Sequence, residues 1–388
     1  MKRTIFLIFS LSLLFVSCKQ DAARQYNYHP PENINDGFEV GTLGEVDIDS
    51  ALIVQAVDSI YQGKYKEVHA ILIVRDGKLV FEEYFEGYEF DYDSTDHHGE
   101  SVVWDRMSLH SIMSVTKSIT SACIGIAIDN GFIKSVHQSV FDYLPAHRYL
   151  NTGGKDKITI EHLLTMTSGL EGNEWLVPYS NPNNDIITTY RVEDPITYVL
   201  HKPLLHEPGK NFQYYGGANI VLGEIIRHAT KMNIDEFSGE YLFGPLGINK
   251  YYWAKYKNSV VDAAGSIKIT PRDMAKIGVT FLNKGFWQGK KIISEQWVEK
   301  SATSFPGNNW LNNWDDHWGM KGYSYSWWTH LFSQSGKRIN MYYAAGWGGQ
   351  YIMVIPVLKT VVVFTGGNYT SYRPPFEILK KYIVPAFD

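Results

Sequence analysis

The alternation of apolar and polar positions divides the chain into segments of two periods. In "DSALIVQAVDSIYQG", Asp49 to Gly63, residues Leu52, Ile53, Ala56, Val57 and Ile60 fall on one face at helical spacing. Asp49 is suited to cap the first free N–H groups and Gly63 to close the last turn, so an amphipathic helix is predicted. "HAILIVRDGKLVFEEYFEGY" is a pair of β runs joined at Asp76-Gly77, a strong hairpin signal. "TPRDMAKIGVTFLNKG" predicts a second amphipathic helix, with Thr270 as cap and Pro271 at the first helical position. "RINMYYAAG", "GQYIMVIP" and "TVVVFTGG" read as three strands, and a last helix begins near Pro375.

The stretch between, about 96–260, is helical and loop-rich. Two strands near the start of the chain and three near its end imply one antiparallel sheet assembled from both ends. The expected class is α+β: that sheet flanked by helices, with a mostly helical subdomain inserted. The cleft between two such parts is where a small ligand usually binds.

One helix in the insertion poses a physical question. "HSIMSVTKSITSACIGIAIDNG", His110 to Gly131, is apolar enough to be buried, yet it carries Lys117 in its first turn. Desolvating an ammonium costs several kcal/mol unless its charge is used or lost. Ser114 precedes it by three residues, so the hydroxyl and the amine share one helix face. Ser114 also sits at the helix N-terminus, where free N–H groups favour developing negative charge. A serine hydroxyl becomes a nucleophile when a base takes its proton, and a desolvated amine of lowered pKa can be that base. Cys123, on the apolar face behind them, reads as core.

"SVTKSIT" and "IGIAIDNGFI", followed by "ITIEHLLTMTSGL", resemble the serine β-lactamase and penicillin-binding-protein superfamily, in particular its class C β-lactamase-related branch. "EPGKNFQYYGGANIVLGEII", "YLFGPLGI", "ITPRDMAKIGVTFLNKGFWQGKKIISEQWV" and "YYAAGWGGQYIMVIP" continue the likeness in order, over most of residues 70–367. The resemblance implies a β-lactamase/transpeptidase-like fold and a cofactor-free serine hydrolase. It places the nucleophile at Ser114, its partner at Lys117 and a second acid–base group at Tyr214. It also implies an oxyanion hole formed by the backbone N–H groups of Ser114 and Trp347, with Gly216, Gly346 and Gly348 beside the substrate. A phenol and an ammonium titrate close together and can share a proton.

Two departures bear on substrate. Gly216 stands where many relatives carry Asn, and Ala344 where penicillin-recognising relatives carry Lys or His on the strand. Losing those side chains argues against strong β-lactamase or carboxypeptidase activity, since they hydrogen-bond the substrate amide and hold a carboxylate. The pattern looks more like the 6-aminohexanoate-dimer hydrolase-like subgroup. Hydrolysis of a small amide or ester through an acyl-enzyme is therefore the leading expectation. A β-lactamase or D,D-peptidase acting on cell-wall substrates is the competing enzyme. A ligand-binding lipoprotein that kept the fold is the non-enzymatic alternative, which the retained Ser114, Lys117 and Tyr214 count against.

Composition changes this picture little. The 388 residues are 44% hydrophobic, enough for a large core, and a net charge of −5 leaves no basic footprint for nucleic acid. The start of the chain adds an address. Lys2 and Arg3 precede an apolar run, Ile5 to Val16, of signal-peptide length. It ends in "FVSC", similar to the lipobox of bacterial lipoproteins. Residues 1–17 are thus expected to be a signal peptide, 18–41 a tether lipidated at Cys18, and 42–388 the hydrolase domain with its helical subdomain at about 96–260. The expected location is an exported lipoprotein anchored on the periplasmic or outer-membrane face. His97 and His98 in "DSTDHHGE" lack partners at zinc-site spacing, so no metal is expected. Trp327 and Trp328 fit equally a cleft wall or a brace for the last strands.

Overall fold

The computed structural model describes residues 26–308, 321–334, 336–370 and 374–387. The signal-peptide segment and Cys18 lie outside them. Eight strands make the main sheet: β1 (Glu39–Val40), β2 (Val68–Arg75), β3 (Lys78–Tyr84), β4 (Gly322–Ser324), β5 (Trp327–Gln334), β6 (Lys337–Gly346), β7 (Gln350–Ile355) and β8 (Thr360–Gly366). Their order is β1-β3-β2-β8-β7-β6-β5-β4. The two ends of the chain meet where β2 pairs antiparallel with β8, Ile73 opposite Val362. The expected α+β class and the sheet built from both ends are what the structure has. It differs at the edges, where β1 runs parallel to β3 and where β4 and β5 extend the sheet.

The principal helices are α1 (Ser50–Tyr61), α2 (Val115–Asp129), α3 (Gly217–Thr230) and α4 (Pro271–Leu282). The Asp49 carboxylate accepts the Ala51 N–H at 2.8 Å and starts α1; Thr270 Oγ1 accepts the Asp273 N–H at 3.2 Å and starts α4. α4 lies across β2, β7 and β8. A Cβ at Gly278 would sit 2.5 Å from Val361 Cγ1, so the missing side chain lets this helix rest directly on the strands. On the other face Phe376 packs edge-on against Tyr343 and Tyr351. Both faces are covered, which is why every residue of β7 and β8 is buried and their sequences are nearly unbroken apolar runs.

α2 packs between β6 and α3. Beside it a small sheet pairs His110–Ser111 and Tyr252–Trp253 with Ile267–Ile269. The inserted region, expected to be helical and loop-rich, also holds a strand at its start, where His98–Val103 pairs with Glu86–Phe90 in a hairpin. Among the described residues no helix is long and apolar enough to cross a membrane.

The tether expected over 18–41 is, across its described residues, part of the folded unit. Tyr28 donates to Val80 O at 2.8 Å, Phe38 packs edge-on to Trp287, and β1 joins the sheet. Arg272 of α4 locks this segment in place. Its guanidinium is 2% exposed, makes a two-pronged contact with Glu82 at 2.6 and 2.7 Å, and reaches Asp36 Oδ2 at 3.1 Å and Glu32 O at 2.8 Å. These apolar and ionic anchors were hidden because "HPPENINDG" is polar on average, while its few anchoring residues are spaced irregularly. Arg272→Ala would leave the Glu82 carboxylate buried without its partner, a loss of about 3–5 kcal/mol. A drop in denaturation midpoint of that size is expected by calorimetry or denaturant titration. Lysine, lacking the planar fork, should not restore it.

Candidate active site

The segment entering α2 is held before the helix begins. Ile112 N–H donates to Ile267 O at 3.0 Å, and Ile267 N–H donates to Thr116 Oγ1 at 3.2 Å. His110 Nδ1 lies 2.9 Å from Ser111 O, and its Nε2 lies 2.9 Å from His69 Nδ1. Glu67 Oε2 completes this buried chain, 3.0 Å from His69 Nε2. Burial pushes His110 down to about 3. Met113 then turns with φ of +48°, a left-handed conformation costly for a side chain of this kind. That turn brings Ser114 to the N-terminal end of α2, open to the cleft.

Lys117 is 2% exposed. Its Nζ donates to Ser114 Oγ at 2.9 Å and to Ala264 O at 2.9 Å. Burial lowers its pKa, and the nearby carboxylates of Glu174 and Asp262 oppose that shift. Glu174 Oε1 lies 3.9 Å from Nζ. Asp262 accepts from Ala264 N–H at 2.9 Å and from the Tyr190 hydroxyl. Tyr214 approaches the amine over its ring face, with Nζ 5.1 Å from the centroid. Its ring stacks with Trp175, at 4.5 Å, and Trp328, at 5.7 Å, which themselves stack 5.6 Å apart. The structure therefore brings Ser114, Lys117 and Tyr214 into one neighbourhood.

The cleft in front of Ser114 has a volume of ≈ 560 Å³. Its wall is mainly aromatic and aliphatic, including Phe90, Tyr92, Tyr179, Ile186, Tyr190 and Trp347, with Asp93, Lys117, Glu174, Arg191 and Lys268 as charged members. Trp347 is fixed by an indole N–H bond to Tyr369 O at 2.7 Å and packs against His97 and Tyr179. Gly216, Gly346, Gly348 and Tyr214 are not among the lining residues. Instead Gly216 sits against Glu174, Gly346 against the Ile112 carbonyl and Gly348 against the Tyr369 ring. Each glycine permits a close approach behind the cleft wall. Ala344 is buried opposite Ile352, on the face that meets the helices. Trp327 is buried core against Phe281, whereas Trp328 stacks on Tyr214. Cys123 is fully buried, and burial raises its thiol pKa.

A family profile described as Beta-lactamase matches residues 62–371. The chain belongs to the beta-lactamase family. Among curated relatives, this family member is 27% identical over 241 residues to the 6-aminohexanoate-dimer hydrolase of Paenarthrobacter ureafaciens, covering 59% of this chain and 56% of the relative. The matched stretch thus spans little more than half of that relative's length. Among solved structures it superposes on a Bacillus anthracis protein described as a proposed 6-aminohexanoate-dimer hydrolase. That match has a TM-score of 0.64 and 22% identity, over 83% of this chain and 79% of the other. A class C beta-lactamase from Rhodobacter sphaeroides superposes with a TM-score of 0.62 at 14% identity, over 88% of this chain and 100% of the other. At such identities the likeness concerns the fold alone.

Sequence reading had overlooked Glu174, and with it Asp262 and the Glu67–His69–His110 chain. Their positions far along the polypeptide from Ser114 give no periodic signal. Only the buried lysine, which demands a counter-charge, points to a missing carboxylate. The end of β6 closes tightly on the site: a Cβ at Gly346 would lie 2.3 Å from Ile112 O. Gly346→Ala should push the strand and the Met113–Ser114 turn apart. A shift near 1 Å in a reacting group costs about 10²-fold in rate. Reaction of Ser114 with a serine-directed probe should slow by that order while the circular dichroism spectrum is kept.

Proposed function

We propose that this beta-lactamase-family chain is a serine hydrolase that cleaves an amide or ester bond through an acyl-enzyme on Ser114. The observation that carries the reading is the 2.9 Å contact between Ser114 Oγ and a buried amine at the mouth of an apolar cleft. Lys117 takes the hydroxyl proton as Oγ attacks the carbonyl carbon. The oxyanion is received by the backbone N–H groups of Ser114 and Trp347. Tyr214, whose ring lies against the amine, is the second acid–base group and serves the leaving group. Water then releases the acyl group from Ser114.

The substrate class follows from the cleft and the family. An aromatic wall suits an apolar acyl chain, and Ala344 offers no cation on the strand for a β-lactam carboxylate. A short linear amide, of the kind of the 6-aminohexanoate dimer in the Paenarthrobacter relative's name, or a comparable ester is the proposed substrate. We propose, too, that the chain is exported and held at the membrane through a lipidated Cys18.

A fluorophosphonate should label Ser114, and Ser114→Ala should abolish both labelling and hydrolysis of p-nitrophenyl esters. Full turnover by the alanine variant would overturn the assignment, and nitrocefin hydrolysis at ordinary enzymatic rates would replace the linear-amide substrate by a β-lactam. The direction of the pH dependence is also set. Labelling needs neutral Lys117, so its rate should rise with pH. Burial places the midpoint below the ordinary lysine value of about 10.4. Tyr214→Phe, which keeps the stacked ring but removes the hydroxyl, should lower kcat by about 10²-fold or more.

A further inference from the structure

We infer that Glu174 is the positioning residue of this site, holding Lys117 and stabilising the ammonium that forms when Ser114 gives up its proton. The inference rests on the assignment of Ser114 and Lys117 made above. Its basis is geometric. Glu174 is 2% exposed, lines the same cleft and brings Oε1 to 3.9 Å from Nζ. Oε1 also accepts from the Tyr179 hydroxyl at 2.8 Å, and Oε2 accepts from the Gly216 N–H. Gly216 is the only residue type that leaves this space open. A Cβ there would stand 3.1 Å from Oε2 and 2.9 Å from Ile186 Cδ1.

The loop is built to hold the carboxylate still. Asn184 is fully buried and its amide donates to Glu174 O at 3.0 Å and Val177 O at 2.6 Å. Asn173 N–H donates to Asp185 Oδ2 at 2.7 Å, and Asp185 N–H returns a 2.7 Å bond to Asn173 Oδ1. These bonds close the loop across the residues flanking Glu174.

Counting the amine's protons shows what the carboxylate does. An ammonium has three N–H groups, which point to Ser114 Oγ, Ala264 O and the Glu174 side. A neutral amine has two N–H groups and a lone pair. With the lone pair aimed at Ser114, one N–H still donates to Ala264 O and the other faces Glu174, whose carboxylate acts by its charge from 3.9 Å. The same three directions therefore fit both protonation states, and the amine need not move during transfer. When the Oγ–H bond breaks and the Oγ–C bond forms, the proton joins the lone pair. The new positive charge then arises beside a fixed carboxylate. A base oriented by a buried carboxylate is the logic of hydrolase triads in general. The other groups facing this amine are Ser114, Asp262 and the Tyr214 ring. Asp262 is already engaged by Ala264 N–H and Tyr190; Asp93, Tyr179, Arg191 and Lys268 belong to the cleft beyond.

The test compares the full-length parent chain with Glu174→Gln, reading fluorophosphonate labelling of Ser114 between pH 5 and 11 together with kcat and KM on a p-nitrophenyl ester. Glu174 favours the charged form of Lys117, so its loss should move the labelling midpoint to lower pH while the plateau falls about 10²-fold. KM should change little, and Glu174→Asp should recover part of kcat. Damage to packing alone would lower the plateau without moving the midpoint. Tyr179→Phe provides a second arm: freeing one carboxylate oxygen from its hydroxyl should move the midpoint upward. An unchanged midpoint in both variants, or Glu174→Gln kinetics within twofold of the parent, overturns the inference. Absence of labelling in the parent chain overturns the Ser114 assignment itself, and this inference with it.

Discussion

A lysine buried in the first turn of an apolar helix is the constraint around which this protein is arranged. Thirteen consecutive residues of α2, Val115 to Ala127, are buried, and Lys117 is among them. Its charge cannot be left uncompensated at that depth, where an isolated ammonium would shed its proton. The fold answers with groups drawn from distant segments: the Ala264 carbonyl, the Glu174 and Asp262 carboxylates and the Tyr214 ring face. Every one of them requires a connection elsewhere to be right. The small sheet puts Ala264 in place, the Asn184-clamped loop supplies Glu174, and the aromatic stack with Trp175 and Trp328 fixes Tyr214.

What was legible in the sequence was what is local or periodic. The α1 and α4 stripes, the Asp76-Gly77 turn and the three late strands each carry their signal within a dozen residues. Ser114 and Lys117 were legible for the same reason, being one helical turn apart. β5 was not, because "WWTHLFSQ" alternates in burial without alternating cleanly in polarity, and its buried His330 breaks the pattern. The packed N-terminal segment was misjudged because Tyr28 and Phe38 act singly, each finding a partner that only the tertiary fold supplies. Glu174 was invisible on the same grounds: nothing in "SGLEGNEW" marks one of its two carboxylates as the buried one.

The departures from the wider superfamily take on a physical meaning once the site is built. Gly216 reads, from sequence, as a lost asparagine beside the substrate. In three dimensions it is the gap through which a carboxylate reaches the amine, and any side chain there would have to displace Glu174 or Ile186. Ala344 and Gly346 lie on one face of β6, and the missing side chain of Gly346 lets the strand end close on the Ile112 carbonyl. Small residues here shape the approach of backbone to backbone.

Strain and support are placed together. Met113 adopts its left-handed turn immediately before Ser114, and such a conformation persists only where neighbours over-determine it. The neighbours are on hand: His110 and Ile112 are pinned on one side, Lys117 N–H returns a bond to Ser114 O on the other, and Gly346 presses from the sheet. A serine projected from such a turn cannot relax away from the amine without breaking one of these contacts. Placement of the hydroxyl and charge compensation of the amine are thus one structural problem, solved by the same buried helix start. A chain that merely bound ligands in this cleft would gain nothing from a strained turn at Met113 or from a carboxylate beside a desolvated amine.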